Sequence, residues 1–353
     1  MARATEAKVL STEQKKARLF RAWFGGHPVW CTWQVTYRCN FRCRFCHYWR
    51  DPMGSQPEQT LEDVRIGAQK LAQMGSMLIS LAGGEPLLRE DIVDVARAVA
   101  RFHLPFLTTN GWDVTDRLAQ DLFDAGLWGV SVSLDYADAE KHDRARGRPG
   151  AFDRAVRAIE SFAKARRRDY QRVNVMTVLL QDNLDQMEPL IGLAADHNAW
   201  FTVQPYGRRK TGSTRFVHES GHVADHLLAL KSRFPNFLSN GTFLSRFDEA
   251  LNGGVPDCRA GQAFFNIDST GDIAICVEER CRPVANLYRD SIARISRALK
   301  DRAASNTCRD CWYNCRGEVE MLYDPVGIWR SLPDFFLNRA RPYGTDSARS
   351  NQP

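Results

Sequence analysis

An α/β fold built on a parallel sheet, followed by a smaller cysteine-rich unit, is what this sequence predicts, and three observations predict it. Six short β-rich runs alternate with stretches of helical periodicity between Trp30 and Tyr206. Those runs are apolar with little strict alternation, as strands covered on both faces are. Near Asn252 the repeat stops at "NGGVP", and the remaining chain carries a dense group of cysteines.

Taken in order, the strand candidates are "VWCTWQVT", "MLISLAGG", "PFLTTNG", "GVSVSLD", "RVNVMTVLL" and "WFTVQPY". Between them "LEDVRIGAQKLAQM", "EDIVDVARAVARF", "TDRLAQDLFDAG", "AFDRAVRAIESFAKA" and "LDQMEPLIGLAADH" repeat apolar residues at three-and-four spacing, the pattern of a helix with one buried face. Periodicity alone allows either a doubly wound sheet or a barrel. In both, the loops at the C-terminal ends of the strands carry the chemistry. After "NGGVP", the stretch "CRAGQAFFNIDSTGDIAICVEERC" reads as a β-hairpin turning at Ser269 to Asp272, with cysteines at both ends.

The chain has 353 residues, 44% of them hydrophobic, enough for a full core and one large domain or a large and a small one. Its 48 Lys+Arg against 42 Asp+Glu give a net charge of +6, interspersed along the chain, which does not call for nucleic acid as a partner. No run reaches the eighteen apolar residues of a membrane span, and "MARATEAKVLSTEQKKARLF" lacks the apolar centre of a secretory signal, so a cytoplasmic location is expected. Thiols stay reduced there, and the clustering of the ten cysteines reads as metal ligation rather than disulfides. Cys31, alone within the first strand, reads as a small buried side chain.

Just after the first strand, "TYRCNFRCRFCHYW" places Cys39, Cys43 and Cys46 at C-x3-C-x2-C spacing. Three thiolates on one loop hold three corners of a 4Fe-4S cluster and leave one iron open. The alternative is a zinc site completed by a neighbour such as His47. With "GGEP" at Gly83 to Pro86 after the second strand, the loop resembles the radical S-adenosylmethionine (radical SAM) enzymes. That resemblance, over about Trp30 to Tyr206, implies a partial (β/α)6 TIM-type barrel. It further implies a 4Fe-4S cluster on Cys39, Cys43 and Cys46, whose open iron is chelated by the amino and carboxylate groups of S-adenosylmethionine.

The same resemblance implies a set of cofactor-binding positions. Phe45 matches the aromatic position near the adenine, and Gly83 and Gly84 allow close approach of the methionine end. Glu85 is expected to accept from the methionine ammonium. Thr109 and Asn110 from "TTNG", and Ser133 and Asp135 from "SVSLD", reach the same mouth, the last pair suiting the ribose hydroxyls. Arg146, in "KHDRARGRPGAFDRA", is a further cofactor contact, while Asn174 and Thr177 are candidates for the barrel interior.

In the C-terminal unit, Cys258, Gly271 and Cys276 match the opening of the SPASM and Twitch extensions, which hold auxiliary 4Fe-4S clusters. Cys308-x2-Cys311-x3-Cys315 departs from the full SPASM pattern. The expectation is a shortened, Twitch-like module with one auxiliary cluster, held by Cys258, Cys276 and two or more of Cys308, Cys311 and Cys315. Cys281 is the odd member, and if all six bind iron there are two clusters. A zinc ribbon is the alternative.

The implied organisation is a basic and aromatic helical extension at residues 1–28, a core barrel at 29–235, a SPASM/Twitch-like Fe-S domain at 236–325, and a C-terminal helix and tail at 326–353. The implied activity is reductive cleavage of S-adenosylmethionine to a 5'-deoxyadenosyl radical and abstraction of a substrate hydrogen atom, with flavodoxin or ferredoxin as electron donor. A peptide or small metabolite is the expected substrate. A lipid, isoprenoid or porphyrin substrate is the second reading, and a non-catalytic Fe-S or zinc protein the third. Arg208, Arg209 and Lys210 in "PYGRRK" are candidates for binding an anionic group at the mouth, against a plain basic turn. "KKARLFRAWFGG" and "GIWRSLPDFFLNRARPYG" mix bulky apolar and basic residues; packing over the open barrel is preferred to peripheral membrane contact.

Overall fold

The computed structural model describes residues 9–219 and 221–323, so the expected C-terminal helix and tail, with "GIWRSLPDFFLNRARPYG", lie outside the described residues. The chain opens with helix α1 (Thr12–Phe24), whose start is fixed by a capping box: Ser11 accepts from the Gln14 backbone and Gln14 reaches back to Ser11. Six parallel strands follow: β1 (Trp30–Thr36), β2 (Leu78–Gly83), β3 (Leu104–Thr109), β4 (Gly129–Ser133), β5 (Arg172–Leu179) and β6 (Trp200–Pro205).

Their crossovers are α2 (Leu61–Leu71), α3 (Ile92–Ala100), α4 (Asp116–Asp124), the consecutive pair α5 (Ala139–Arg146) and α6 (Ala151–Ala165), and α7 (Met187–Asp196). All six strand expectations and the five quoted helices fall on these elements. Helix α6 packs an apolar stripe of Ala155, Ala158, Ile159 and Phe162, all fully buried, on the sheet. Burying Phe162 contributes about 2–3 kcal/mol, and Phe162→Ala is the single change most damaging to this contact, at about 3–5 kcal/mol.

Helices α8 (Val223–Arg233), α9 (Gly241–Ser245) and α10 (Phe247–Leu251) lead to the cysteine-rich part, which contains β7 (Phe264–Ile267), β8 (Asp272–Ala274), β9 (Ala285–Asn286), α11 (Ile292–Ala304) and α12 (Asn314–Glu320). The hairpin turn runs from Asp268 to Gly271, one residue before the expected position, because the Asp268 carboxylate accepts from the backbones of both Thr270 and Asp272 at 2.9 Å.

The hairpin does not make a sheet of its own. β7 pairs in parallel with β1, from Trp30↔Phe264 to Trp33↔Ile267, and the described strands form one nine-stranded sheet in the order β6-β5-β4-β3-β2-β1-β7-β8-β9. The outer edge of β1 would otherwise expose a row of unpaired backbone groups. Buried Gln34 of β1 also donates to Asn266 of β7 at 3.0 Å.

A cavity of about 380 Å³ occupies the barrel interior. Trp30, Leu78, Leu104, Trp128 and Arg172, at the N-terminal ends of the strands, form its floor. Lys16 and Leu19 of α1 reach the same floor, with the Lys16 ammonium 5.6 Å from the Trp128 ring centre. The N-terminal segment therefore closes the bottom of the barrel. Among the described residues, no helix is long and apolar enough to cross a membrane.

Candidate functional site

At the opposite end of the barrel, the loop after β1 carries Cys39, Cys43 and Cys46. It is held by short-range contacts: the Cys46 N–H donates to the Cys43 carbonyl at 3.3 Å, and Arg44 N–H to the Ala145 carbonyl at 3.0 Å. Phe41, Cys43 and Phe45 are buried in a small apolar cluster with Tyr136, Tyr206 and Phe216. Burial pushes the Cys39 thiol up to about 11 and the Cys43 thiol up to about 12, so a bound cation is what makes them thiolate ligands near neutral pH.

All three cysteines line one cavity of about 190 Å³. Phe45, Gly83, Gly84, Glu85, Thr109, Asn110, Ser133 and Arg146 line it too. Asp135, expected there from the sequence, does not. It is fully buried behind the wall, where Oδ2 accepts from Arg146 Nε at 2.7 Å and Oδ1 from the Val178 N–H at 2.9 Å. Arg146 in turn places its guanidinium 5.2 Å from the Phe45 ring centre.

The two glycines have a reason the sequence did not disclose. A Cβ on Gly83 would collide with the Thr36 carbonyl and one on Gly84 with the Arg38 carbonyl, and Gly83 has φ +135°. This close approach lets Gly84 N–H donate to Thr36 (2.9 Å) and Glu85 N–H to Arg38 (2.8 Å), tying the end of β2 to the cysteine loop. Glu85 is likewise committed to the protein: Oε1 accepts from the Thr109 hydroxyl at 2.7 Å and from the Leu87 N–H at 3.1 Å, and Oε2 from the Asn110 N–H at 2.7 Å. Burial raises its pKa to about 7 against the pull of these donors. Asn110 also donates to Asn40 at 2.8 Å, so the end of β3 is fixed to the same loop.

Asn174 lines the barrel cavity, but Thr177 is buried in the wall, donating to the Leu134 carbonyl at 2.6 Å. Cys31 is fully buried in the main core. The barrel and cysteine-loop cavities share lining residues, among them Tyr48, Gly83, Met176, Gln204, Lys210 and Tyr313.

In the C-terminal part, Cys258, Cys276, Cys311 and Cys315 form one electrostatic group: burial is the largest cause raising all four thiols, Cys258 further raises Cys276, Cys311 and Cys315, Cys315 raises Cys276 and Cys311, and Cys276 raises Cys311. Burial pushes both Cys276 and Cys315 up to about 12. Arg316, fully buried, gathers the segments that carry them. It donates to the carbonyls of Cys311, Val255 and Pro256, each at 2.8 Å, and pairs with Glu320 at 3.1 Å. Glu320 accepts from the Arg259 N–H at 2.7 Å, beside Cys258. Cys281 is exposed, and Cys308 acts on Arg209.

Sequence reasoning missed Arg316 and Glu320, whose spacing of four on α12 was the available signal. "PYGRRK", a candidate anion site against a plain basic turn, is engaged by the protein's own carboxylates. Arg208 and Arg209 pair with Asp310 (3.7 and 3.3 Å), Arg209 with Glu279 (3.3 Å), and Lys210 with Glu278 (3.3 Å).

Among the described residues, no three His, Cys, Asp or Glu side chains converge as ligands of a single ion. Cys39, Cys43 and Cys46 instead line one cavity, the arrangement of a cluster whose irons take one thiolate each. Three thiols around one cavity, with apolar and hydrogen-bonding walls beside them, fit a 4Fe-4S cluster and an adenosyl ligand.

Residues 33–194 match the model of the Radical SAM superfamily. The chain is similar to mycofactocin maturase MftC of Mycolicibacterium smegmatis, 27% identical over 317 residues that cover 82% of this chain and 77% of that one. It is also similar to the AdoMet-dependent heme synthase of Methanosarcina barkeri, 33% identical over 51% of this chain and 52% of that protein. In fold it resembles Streptococcus suis SuiB bound to precursor peptide SuiA, with a TM-score of 0.62 at 17% identity over 92% of this chain and 81% of that one. Such enzymes use a 4Fe-4S cluster and S-adenosylmethionine. With the strand order and cysteine loop described above, the chain carries a radical SAM domain over residues 33–194.

Proposed function

We propose that this radical SAM enzyme modifies a peptide held in the barrel cavity. In this reading Cys39, Cys43 and Cys46 hold the 4Fe-4S cluster, and S-adenosylmethionine occupies the 190 Å³ cavity against Phe45, Gly84, Asn110, Ser133 and Arg146. When loaded, such a site supplies reductive cleavage of S-adenosylmethionine and abstraction of a hydrogen atom from an unactivated C–H bond. An external flavodoxin or ferredoxin delivers the electron.

The observation that carries the reading is the continuity of the two cavities through Tyr48, Gly83, Lys210 and Tyr313. A substrate in the 380 Å³ space would lie directly beside the cofactor, with Trp128 and α1 closing the far end against water and stray hydrogen donors. Gln34, Asn174 and Asn314 line that space and each has a buried carbonyl oxygen without a partner, suited to the N–H groups of a peptide. The maturase relative and the peptide-bound SuiB point to the same substrate class.

Residues 236–325 supply the second site, an auxiliary 4Fe-4S cluster on Cys258, Cys276, Cys311 and Cys315, with Cys281 and Cys308 outside it. The test is incubation of the reconstituted, reduced enzyme with short peptides encoded beside its gene, read by mass spectrometry. A mass change that requires S-adenosylmethionine is expected. Peptides left unchanged while a tetrapyrrole or lipid is converted would overturn the peptide reading.

A further inference from the structure

We propose that Lys210 is a single charge shared by both cysteine sites, placed so that it sets the reduction potential of the two clusters together. The inference rests on the reading that Cys258, Cys276, Cys311 and Cys315 hold an auxiliary cluster.

Lys210 ends the short turn after β6, Arg208–Lys210, and lines both cavities. Its ammonium is 3.3 Å from the Glu278 carboxylate, 4.8 Å from the Tyr48 ring centre and 5.2 Å from the Tyr313 ring centre. Each of these three neighbours lies two positions from a cysteine. Tyr48 follows Cys46, Glu278 follows Cys276, and Tyr313 stands midway between Cys311 and Cys315. One side chain therefore touches the ligand loops of both sites.

The contact is locked. The Tyr313 hydroxyl donates to Glu278 at 3.0 Å, and the same ring occupies the space where Gly207 lacks a side chain. Arg208, two positions before Lys210, is 63% exposed and pairs with Asp310 near the surface, whereas Lys210 is 24% exposed and Glu278 5%. A charge shielded from water acts over the distances between such loops, and an exposed one is screened. Reducing a cluster adds an electron, so a nearby cation raises its potential and a nearby anion lowers it. Lys210 offsets Glu278, and loss of either partner leaves the other's charge uncompensated between the two sites.

The experiment is an anaerobic redox titration of the reconstituted full chain, followed by electron paramagnetic resonance, without substrate. Lys210→Met should shift both midpoint potentials to more negative values, Glu278→Gln should shift both to more positive values, and Lys210→Arg should leave both near wild type. Unchanged potentials in Lys210→Met and Glu278→Gln at wild-type iron content would overturn the proposal, as would a shift confined to one cluster. If Lys210→Met fails to load iron, Glu278→Gln decides by its opposite sign. A wild-type protein that holds only one cluster contradicts the auxiliary-site reading itself, which iron analysis shows separately.

Discussion

Arg146 Nε donates to Asp135 Oδ2 at 2.7 Å, and the carboxylate has no exposed surface. The sequence reading put both residues on the cofactor; the structure makes Asp135 the anchor that aims Arg146 across Phe45 into the cavity. Removing one partner of a buried pair costs about 3–5 kcal/mol. Asp135→Asn should therefore lower stability in chemical denaturation and weaken S-adenosylmethionine binding by about tenfold or more, roughly 1.4 kcal/mol per decade. In a double-mutant cycle with Arg146→Met the two losses should be far from additive.

Gly83 and Gly84 are where a methyl group cannot be placed without moving the backbone of Thr36 or Arg38. Gly83→Ala and Gly84→Ala should each destabilise the protein by about 2 kcal/mol or more, the scale of forced backbone strain. They should also reduce iron loading at the first site. Gly192, inside α7 with open space around it, is the control: Gly192→Ala should stabilise by about 0.5–1 kcal/mol. Thermal unfolding of the three variants checks the contrast.

Glu85 gives a pH signature. Its pKa rises from the ordinary 4.5 to about 7 on folding, so between those values the unfolded chain has released a proton that the folded chain keeps. Stability from this group is thus lost as pH rises through that window, by about 3 kcal/mol in all, and is constant above it. The stability of wild type minus that of Glu85→Gln should fall from pH 4.5 to 7 and then level off. A difference that rises across the same window contradicts the assignment.

Arg316 holds three backbone carbonyls and Glu320 in a fully buried position. On the proposed auxiliary-cluster reading, Arg316→Met should loosen the segments carrying Cys258, Cys311 and Cys315, taking iron content from about eight to about four atoms per chain. The signal of the first cluster should persist. Iron analysis with electron paramagnetic resonance separates these outcomes.

The six strands and their crossovers were legible because parallel strands buried on both faces leave apolar runs, and helices between them leave a three-and-four repeat. The cysteine loop was legible for a local reason too: its spacing is written in eight residues. What escaped was non-local. The pairing of β7 with β1 joins residues more than two hundred positions apart, as Gln34 and Asn266 do. The true partners of Asp135, Glu85 and the "PYGRRK" turn also depend on which strand ends meet. Polar residues at neighbouring strand ends marked the right cavity, but their spacing could not tell a wall from a ligand contact.

The most direct test of the central claim is 5'-deoxyadenosine formation by the anaerobically reconstituted, dithionite-reduced protein, measured by chromatography. Wild type is predicted to form it, and a variant with Cys39, Cys43 and Cys46 replaced by alanine is predicted to form none. Product from that triple variant, or none from a wild type carrying its full iron and its substrate, would contradict the assignment.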